Sequence, residues 1–164
     1  PAIRLAQAGT WATCGAITAS VQPAQACWNE GTRDAATVAK FNMMLMVTAL
    51  RCRKGADNFL PQYNGFVQRH NAVLGSQHGL IKAQFAQTMG AKGAENAFDR
   101  LTIGYANGYG LGHSQMGCRE LKQLAGELSD NSLSAASLLL VAERSVGRAE
   151  IPVQVCSIAT IAGK

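Results

Sequence analysis

The chain has 164 residues, of which 48% are hydrophobic and 15% are charged, and its formal net charge is +5. This length suits one domain with a buried core, and the hydrophobic content argues against wholesale disorder. Charged residues are scarcer than in an average globular protein, as on secreted proteins and on subunits that cover much of their surface with partners. No apolar run approaches the roughly 20 residues that a membrane span needs.

The positive charge lacks the pattern of a nucleic-acid-binding protein. Only Arg51, Arg53 and Lys54 form a tight basic group, and no aromatic residue lies among them to stack on a base. The group follows a helical stretch, where basic side chains complement the helix dipole. We therefore expect no specific nucleic-acid partner.

The first 31 residues differ from the rest of the chain. Segments 2–5 and 17–21 favour β-structure, and helical periodicity is weak there. We predict one domain, in which strands and loops over 1–31 precede a helical core over 32–147. A strand-like tail over 148–164 follows the core, because residues 151–161 are rich in Ile, Val and Thr.

The first predicted helix begins near Thr32 or Asp34, either of which can cap it, and continues to about Arg53, before Gly55. Its run Met43–Val47 is apolar on all sides, which indicates a central helix. Methionines in such a run fill a core more often than they bind a ligand.

The second predicted helix is capped by Asp57 and carries Pro61 in its first turn. At about 100° per residue its apolar positions stay within one arc, and the phase survives Gly75 and Gly79. We therefore predict one long helix, with a kink where the glycines weaken it, that ends near Thr88.

A turn at Gly90 and Gly93 precedes the third predicted helix, which has Ala94, Phe98 and Leu101 on one face together with Tyr105 and Tyr109, and which frays in the glycine-rich residues 108–112. The glycines resemble a phosphate-binding loop only superficially. They lack the preceding strand and the following Lys-Ser/Thr pair. No nucleotide or other cofactor is predicted.

Two shorter helices complete the predicted core. One contains Cys118 and Leu128, and the other runs from about Leu133 to Val146 and is stopped by Gly147. The predicted fold class is mainly α. It is a disulfide-stabilised bundle of about five helices with short β-like segments at both ends.

Cysteine spacing favours structural disulfides over a zinc or thioredoxin-type site, because no pair has C-x-x-C spacing. The third predicted helix returns antiparallel to the second, so Cys118 should come back near Cys52. A bridge there would stabilise the fold by about 4 kcal/mol in the chain-entropy model. Cys156 is then expected to pair with Cys14 or Cys27, and one cysteine is left over.

Disulfides predict an oxidising compartment, either the periplasm or the outside of the cell. The chain starts at Pro1 without a signal-like apolar block. The expectation is that a signal peptide has already been removed.

No catalytic or metal-binding residue is predicted. The histidines His70, His78 and His113 lack the spacing of a metal site, and His113–Ser114 has no nucleophile elbow around it. The enzymatic alternative is a lysozyme-like hydrolase of envelope polymers with paired carboxylates. Its candidate residues are Glu95, Asp99, Glu120 and Glu127.

Aromatic residues supply the candidates for a protein interface. They are Trp11, Trp28, Tyr105 and Tyr109. Large aromatic side chains anchor many interfaces, although core packing is the commoner use. The spacing Gly104-x-x-x-Gly108 also permits close approach of another helix, a weak signal outside a membrane.

Several short motifs between residues 40 and 118 resemble those of a family. They are Leu50-Arg51-Cys52-Arg53, Phe59, Tyr63-Asn64-x-Phe66-Val67, Phe98-Asp99 and Tyr105-Ala106-Asn107-Gly108-Tyr109-Gly110. In these motifs the chain is similar to small secreted helical proteins of alphaproteobacteria that are uncharacterised. The resemblance implies export and a Cys52–Cys118 bridge, and it transfers no activity and no catalytic residue.

These observations favour a non-enzymatic exported protein that binds a protein partner, associates with itself or forms part of a periplasmic or extracellular assembly. The hydrolase is one alternative. An accessory protein that binds anionic polymers is another, and its binding should weaken with salt.

Overall fold

The computed structural model describes residues 27–151, which contain no β-strand. Their five helices confirm the predicted mainly α, disulfide-stabilised bundle. The helices are α1 (Glu30–Cys52), α2 (Leu60–Arg69), α3 (Asn71–Gly108), α4 (Cys118–Asp130) and α5 (Ala135–Val146). The predicted β-like segments fall mostly on residues 1–26 and 152–164, which lie outside the described residues.

Helix α1 is the central helix, as its apolar run predicted, and it contacts each of the other four helices. Its start differs from the prediction. Asn29, in an extended conformation, caps the helix by accepting a hydrogen bond from the Thr32 backbone N–H at 2.8 Å. Neither Thr32 nor Asp34 is therefore the cap, because an Asn three residues upstream already satisfies the free N–H.

Two hydrophobic clusters lie against different sides of α1. The first contains Phe41 and Leu45 of α1 and is completed by α2, α4, α5 and the start of α3. The second contains the small residues Ala35 and Ala39 of α1, against which α3 packs. Because alanine leaves room, α3 approaches α1 closely on this side.

The prediction of one long second helix is wrong. The chain instead forms α2 and α3, separated at His70, whose φ of −103° and ψ of 15° are not helical. Asp57 does not cap α2, since Phe59 holds the cap position and the Asn58 side chain accepts from the Leu60 N–H at 3.1 Å. Periodicity missed the break because a single non-helical residue barely changes the phase of the apolar arc.

Helix α3 is a hairpin of two arms that meet at Gly90, where the predicted turn lies. Gly90 has φ 68° and ψ 172°, a conformation that essentially only glycine adopts. The rings of His78 and Phe98 are 5.0 Å apart, whereas a straight helix would separate them by about 30 Å. The first arm, residues 71–89, therefore runs antiparallel to the second arm, residues 91–108.

The disulfide prediction is confirmed for one pair. Cys52, at the end of α1, is bonded to Cys118, at the start of α4, and the bond closes a sequence separation of 66 residues. Cys27 is also disulfide-bonded, and its pairing lies outside the described residues. The predicted pairing of Cys156 with Cys14 or Cys27 is likewise outside them.

Helix α5 ends as predicted and directs the chain back to α1. Gly147 ends it with a φ of 66°. Arg148 then donates to Glu30 at 2.9 Å and Asp34 at 2.6 Å in the first turns of α1. The hydrogen bond to Asp34 is the main reason why the pKa of Arg148 is raised. The described part of the chain therefore begins and ends beside the first turns of α1.

Within residues 27–151, no helix is both long enough and apolar enough to cross a membrane.

Candidate functional site

An open groove runs along the second arm of α3 and is the candidate binding site. It has a volume of about 670 Å³ and a mostly apolar lining. Both arms of α3 and the segment after α5 contribute to it. The lining residues are Phe85, Met89, Ala97, Arg100, Leu101, Gly104, Tyr105, Glu150 and Ile151.

A second cavity of about 300 Å³ shares Gly104, Tyr105 and Glu150 with the groove and extends it towards Gly108 and Tyr109. Because the two cavities have these residues in common, they form one depression along the arm. We call this whole depression the α3 groove.

Glycine gives the α3 groove its flat floor. A Cβ atom placed on Gly104 or Gly108 would meet no atom within 4 Å, and neither residue has a positive φ. Glycine inside a helix costs about 1 kcal/mol relative to alanine. Within residues 27–151, neither packing nor backbone conformation accounts for that cost at these two positions, in contrast to Gly65, whose Cβ would lie 2.9 Å from Ser129.

Tyr105 fixes one wall of the α3 groove. Its hydroxyl donates to the backbone carbonyl of Glu150 at 3.2 Å, which ties the segment after α5 to the second arm. Burial, followed by the nearby Glu150 carboxylate, raises the pKa of Tyr105. The hydroxyl therefore keeps its proton at neutral pH and acts as a hydrogen-bond donor and not as a base.

Three charged residues line the α3 groove: Arg100, Glu150 and, at its extension, Lys40. Arg100 and Glu150 are both exposed. Neither forms an ion pair with any residue between 27 and 151. Two unpaired opposite charges beside an apolar surface can orient a ligand that carries the complementary pair.

The four aromatic residues predicted to form an interface lie in different parts of the molecule. Tyr105 is largely buried but lines the α3 groove, and Tyr109 is half-buried at its extension. Trp28 is 2% exposed and packs edge-on against Phe85 at 5.1 Å, so it belongs to the core. Trp11 lies outside the described residues.

Two of the three histidines have structural roles. The ring of His70 joins Phe66 to Leu133 through its two nitrogens. The Nε2 atom of His113 donates to the Ser145 carbonyl at 2.8 Å, and its Nδ1 atom accepts from the backbone N–H of Met116. Both nitrogens of each ring therefore form hydrogen bonds within the fold.

His78 is the third histidine, and it packs against Phe98 beside Lys82. Its Nε2 atom is buried and has no hydrogen-bond partner in the described part of the chain. No group of three or more His, Cys, Asp or Glu side chains within residues 27–151 is arranged to hold a metal ion.

The carboxylates of the hydrolase alternative all lie at exposed positions: Glu95, Asp99, Glu120 and Glu127. Glu95 pairs with Lys82 at 2.6 Å, and Glu120 accepts from the Gly117 N–H at the start of α4. None of the four lines the α3 groove. Among the described residues, the α3 groove therefore lacks the paired carboxylates that glycan hydrolysis requires.

The basic group at the end of α1 is explained locally. Arg51 lies in the last turn of α1 and donates to the Gly110 carbonyl. Arg53 and Lys54 are exposed beside it. This arrangement agrees with the helix C-terminal interpretation of the three residues.

Fold and site together define a disulfide-stabilised helical bundle with a lateral apolar groove. No protein-family model, no curated protein and no solved structure matches the chain. Functional assignment must therefore come from the groove itself.

Sequence reasoning identified part of the α3 groove. Tyr105, Tyr109 and the Gly104–Gly108 spacing were recognised as interface features, whereas Arg100, Glu150 and Ile151 were missed. The signal available for Arg100 was its position one turn before Gly104 on the same helical face. Glu150 and Ile151 had been assigned to the strand-like tail, and no local pattern places them beside Tyr105.

Proposed function

We propose that the protein is a non-enzymatic, exported binding or assembly subunit, and that the α3 groove receives a protein segment. The observation that carries this proposal is the open apolar floor between Arg100 and Glu150, with two helical glycines against which no residue between 27 and 151 packs closely. A surface of this kind accommodates a helix or an extended chain through close backbone approach and a few oriented charges.

The Cys52–Cys118 disulfide supports export, because stable disulfides are typical of oxidising compartments. The low charge content supports a protein partner over an anionic polymer. The absence of Glu95, Asp99, Glu120 and Glu127 from the lining of the α3 groove supports binding over hydrolysis at this site.

Site-specific photocrosslinking in the native producing cells tests the proposal. A photoreactive amino acid replaces Met89, which lines the α3 groove and is 51% exposed. The matched control replaces Leu80, which is 47% exposed on the same helix but does not line the groove. We expect a discrete protein adduct, either with another protein or with a second copy, from position 89 only.

Two results would contradict the proposal. One is the absence of any protein adduct from position 89, or an equal yield of adducts from both positions. The other is hydrolysis of envelope polymer by the purified protein, in which case the enzymatic alternative would replace the binding function.

A further inference from the structure

We propose that the occupant of the α3 groove is the same groove of a second copy of the chain, in an antiparallel, two-fold symmetric dimer. This inference rests on the proposed binding function, since it names the partner of that site. A two-fold interface uses one surface twice, so the surface must complement itself in shape and in charge. The α3 groove meets both requirements.

The shape requirement is met along one face of the second arm. Helical spacing places Ala97, Leu101, Gly104 and Gly108 on the same face, and the first three line the groove. Side chains occupy the first half of this face and glycines occupy the second half. Antiparallel pairing of two such faces would lay the Leu101 side chain of each copy over a glycine of the other.

Arg100 and Glu150 meet the charge requirement, and Lys40 at the extension of the groove adds a second positive charge. Arg100 and Glu150 each carry one charge, and neither is ion-paired within residues 27–151. In a two-fold dimer, Arg100 of each copy can face Glu150 of the other, which forms two equivalent ion pairs. A heterologous partner would need an acid and a base at matching positions, whereas a second copy supplies both.

The hydrogen bond between Tyr105 and Glu150 places the acidic residue along the second arm, next to the Tyr105 hydroxyl. In the dimer, residues 100 and 105 of opposite copies lie across from each other, and the two-fold axis passes between residues 102 and 103. In this register Leu101 lies opposite Gly104, and Arg100 lies on the side of the other copy's Glu150. One alignment therefore serves both shape and charge.

Self-association in this register brings two chains of net charge +5 together. Their long-range repulsion is screened at physiological salt, whereas the close Arg100–Glu150 pairs beside an apolar floor are screened less. The experiment is therefore done with the full-length, disulfide-intact protein at about 0.15 M salt.

Sedimentation equilibrium of charge-reversal variants tests the ion pairs. Arg100→Glu and Glu150→Arg each place like charges across the interface twice, and each should weaken dimerisation by about tenfold or more. The double variant restores both pairs with the charges exchanged and should recover most of the affinity. Because both side chains are exposed, circular dichroism should show unchanged folding for all three variants.

Two substitutions of glycine by leucine test the groove floor. Gly104→Leu fills the position opposite Leu101 and should abolish the dimer. Gly75→Leu is the matched control, because Gly75 is also an exposed helical glycine whose Cβ would meet no atom, and it lies on the other arm. The control should dimerise like the parent chain.

Three results would overturn the dimer. They are a monomer at every concentration up to about 1 mM, an unchanged dimer in Gly104→Leu, and no recovery of affinity in the double charge reversal. If the protein is monomeric but position 89 still crosslinks to a different protein, only the dimer is contradicted. A monomer without any adduct from position 89 removes the proposed binding function as well.

Discussion

The Nε2 atom of His70 accepts a hydrogen bond from the backbone N–H of Leu133 at 3.1 Å, across 63 residues of sequence. The Nδ1 atom of the same ring is 3.0 Å from the carbonyl oxygen of Phe66. Because an N–H can only donate and a carbonyl can only accept, the ring carries its proton on Nδ1. His70 is 1% exposed, and it joins the junction of α2 and α3 to the segment that leads into α5.

Replacing His70 should therefore destabilise the protein. In His70→Phe the ring volume stays similar, but the buried N–H of Leu133 loses its partner. We expect the free energy of unfolding to fall by about 1–3 kcal/mol, measured by urea denaturation. His78→Phe is the control, since the Nε2 atom of His78 has no hydrogen-bond partner among residues 27–151. Its effect should stay within about 0.5 kcal/mol; equal losses in both variants would disprove the bridging role.

His78 should make stability depend on pH. Desolvation, followed by the charge of Lys82, lowers the pKa of His78 below its ordinary value of 6.5. Below that value the unfolded chain binds the proton more readily than the folded protein, so acidification favours unfolding. Above it both states are neutral at this residue, and the effect disappears.

The measurement compares His78→Phe with the parent chain between about pH 7.5 and pH 5. The other histidines are common to both proteins, so their contributions cancel in the difference. The variant should gain stability relative to the parent as the pH falls. A difference that is constant across this range, or that moves in the opposite direction, would show that the pKa of His78 is not lowered in the folded protein.

The Cys52–Cys118 disulfide should contribute a large part of the stability. It closes a separation of 66 residues, and in the chain-entropy model a loop of this size corresponds to about 4 kcal/mol. We expect the double variant Cys52→Ala/Cys118→Ala to lose stability of this order in urea denaturation. Unlike chemical reduction, the double variant leaves the disulfide of Cys27 intact. A loss below about 1 kcal/mol would mean that helix packing alone holds α1 and α4 together.

The hairpin turn of α3 should require glycine at position 90. Gly90→Ala forces a side chain into a backbone conformation with φ 68° and should cost about 1–3 kcal/mol. Gly75→Ala lies in a regular part of the same helix, where the new methyl group meets no atom. It should raise stability by up to about 1 kcal/mol. Thermal or urea unfolding of the two variants should therefore shift in opposite directions, and shifts of the same sign would count against the turn.

Local patterns were sufficient for some elements of the fold. The run Met43–Val47 predicted a central helix, and α1 is in contact with all the others. The Gly90 turn and the Gly147 helix end were also predicted. Both positions have a positive φ, which favours glycine, and the glycines are visible in the sequence. The Cys52–Cys118 pair was predicted from the antiparallel return of the chain. That return is correct even though the second helix is divided at His70.

The elements that were missed depend on distant contacts. The break at His70 is stabilised by Leu133, which is remote in sequence, and the apolar periodicity carries no trace of it. Likewise, the place of Glu150 in the α3 groove depends on its hydrogen bond with Tyr105, 45 residues away. Sequence therefore indicated the floor of the candidate site but not its acidic wall.

The bonds from Arg148 to Glu30 and Asp34 have a practical consequence for measurements of unfolding. Residues 28 and 149 belong to the same cluster, so the start of α1 and the segment after α5 are held side by side in the folded protein. Paired fluorophores at two exposed positions, one in the first turn of α1 and one after α5, would therefore start close together and separate when the protein unfolds.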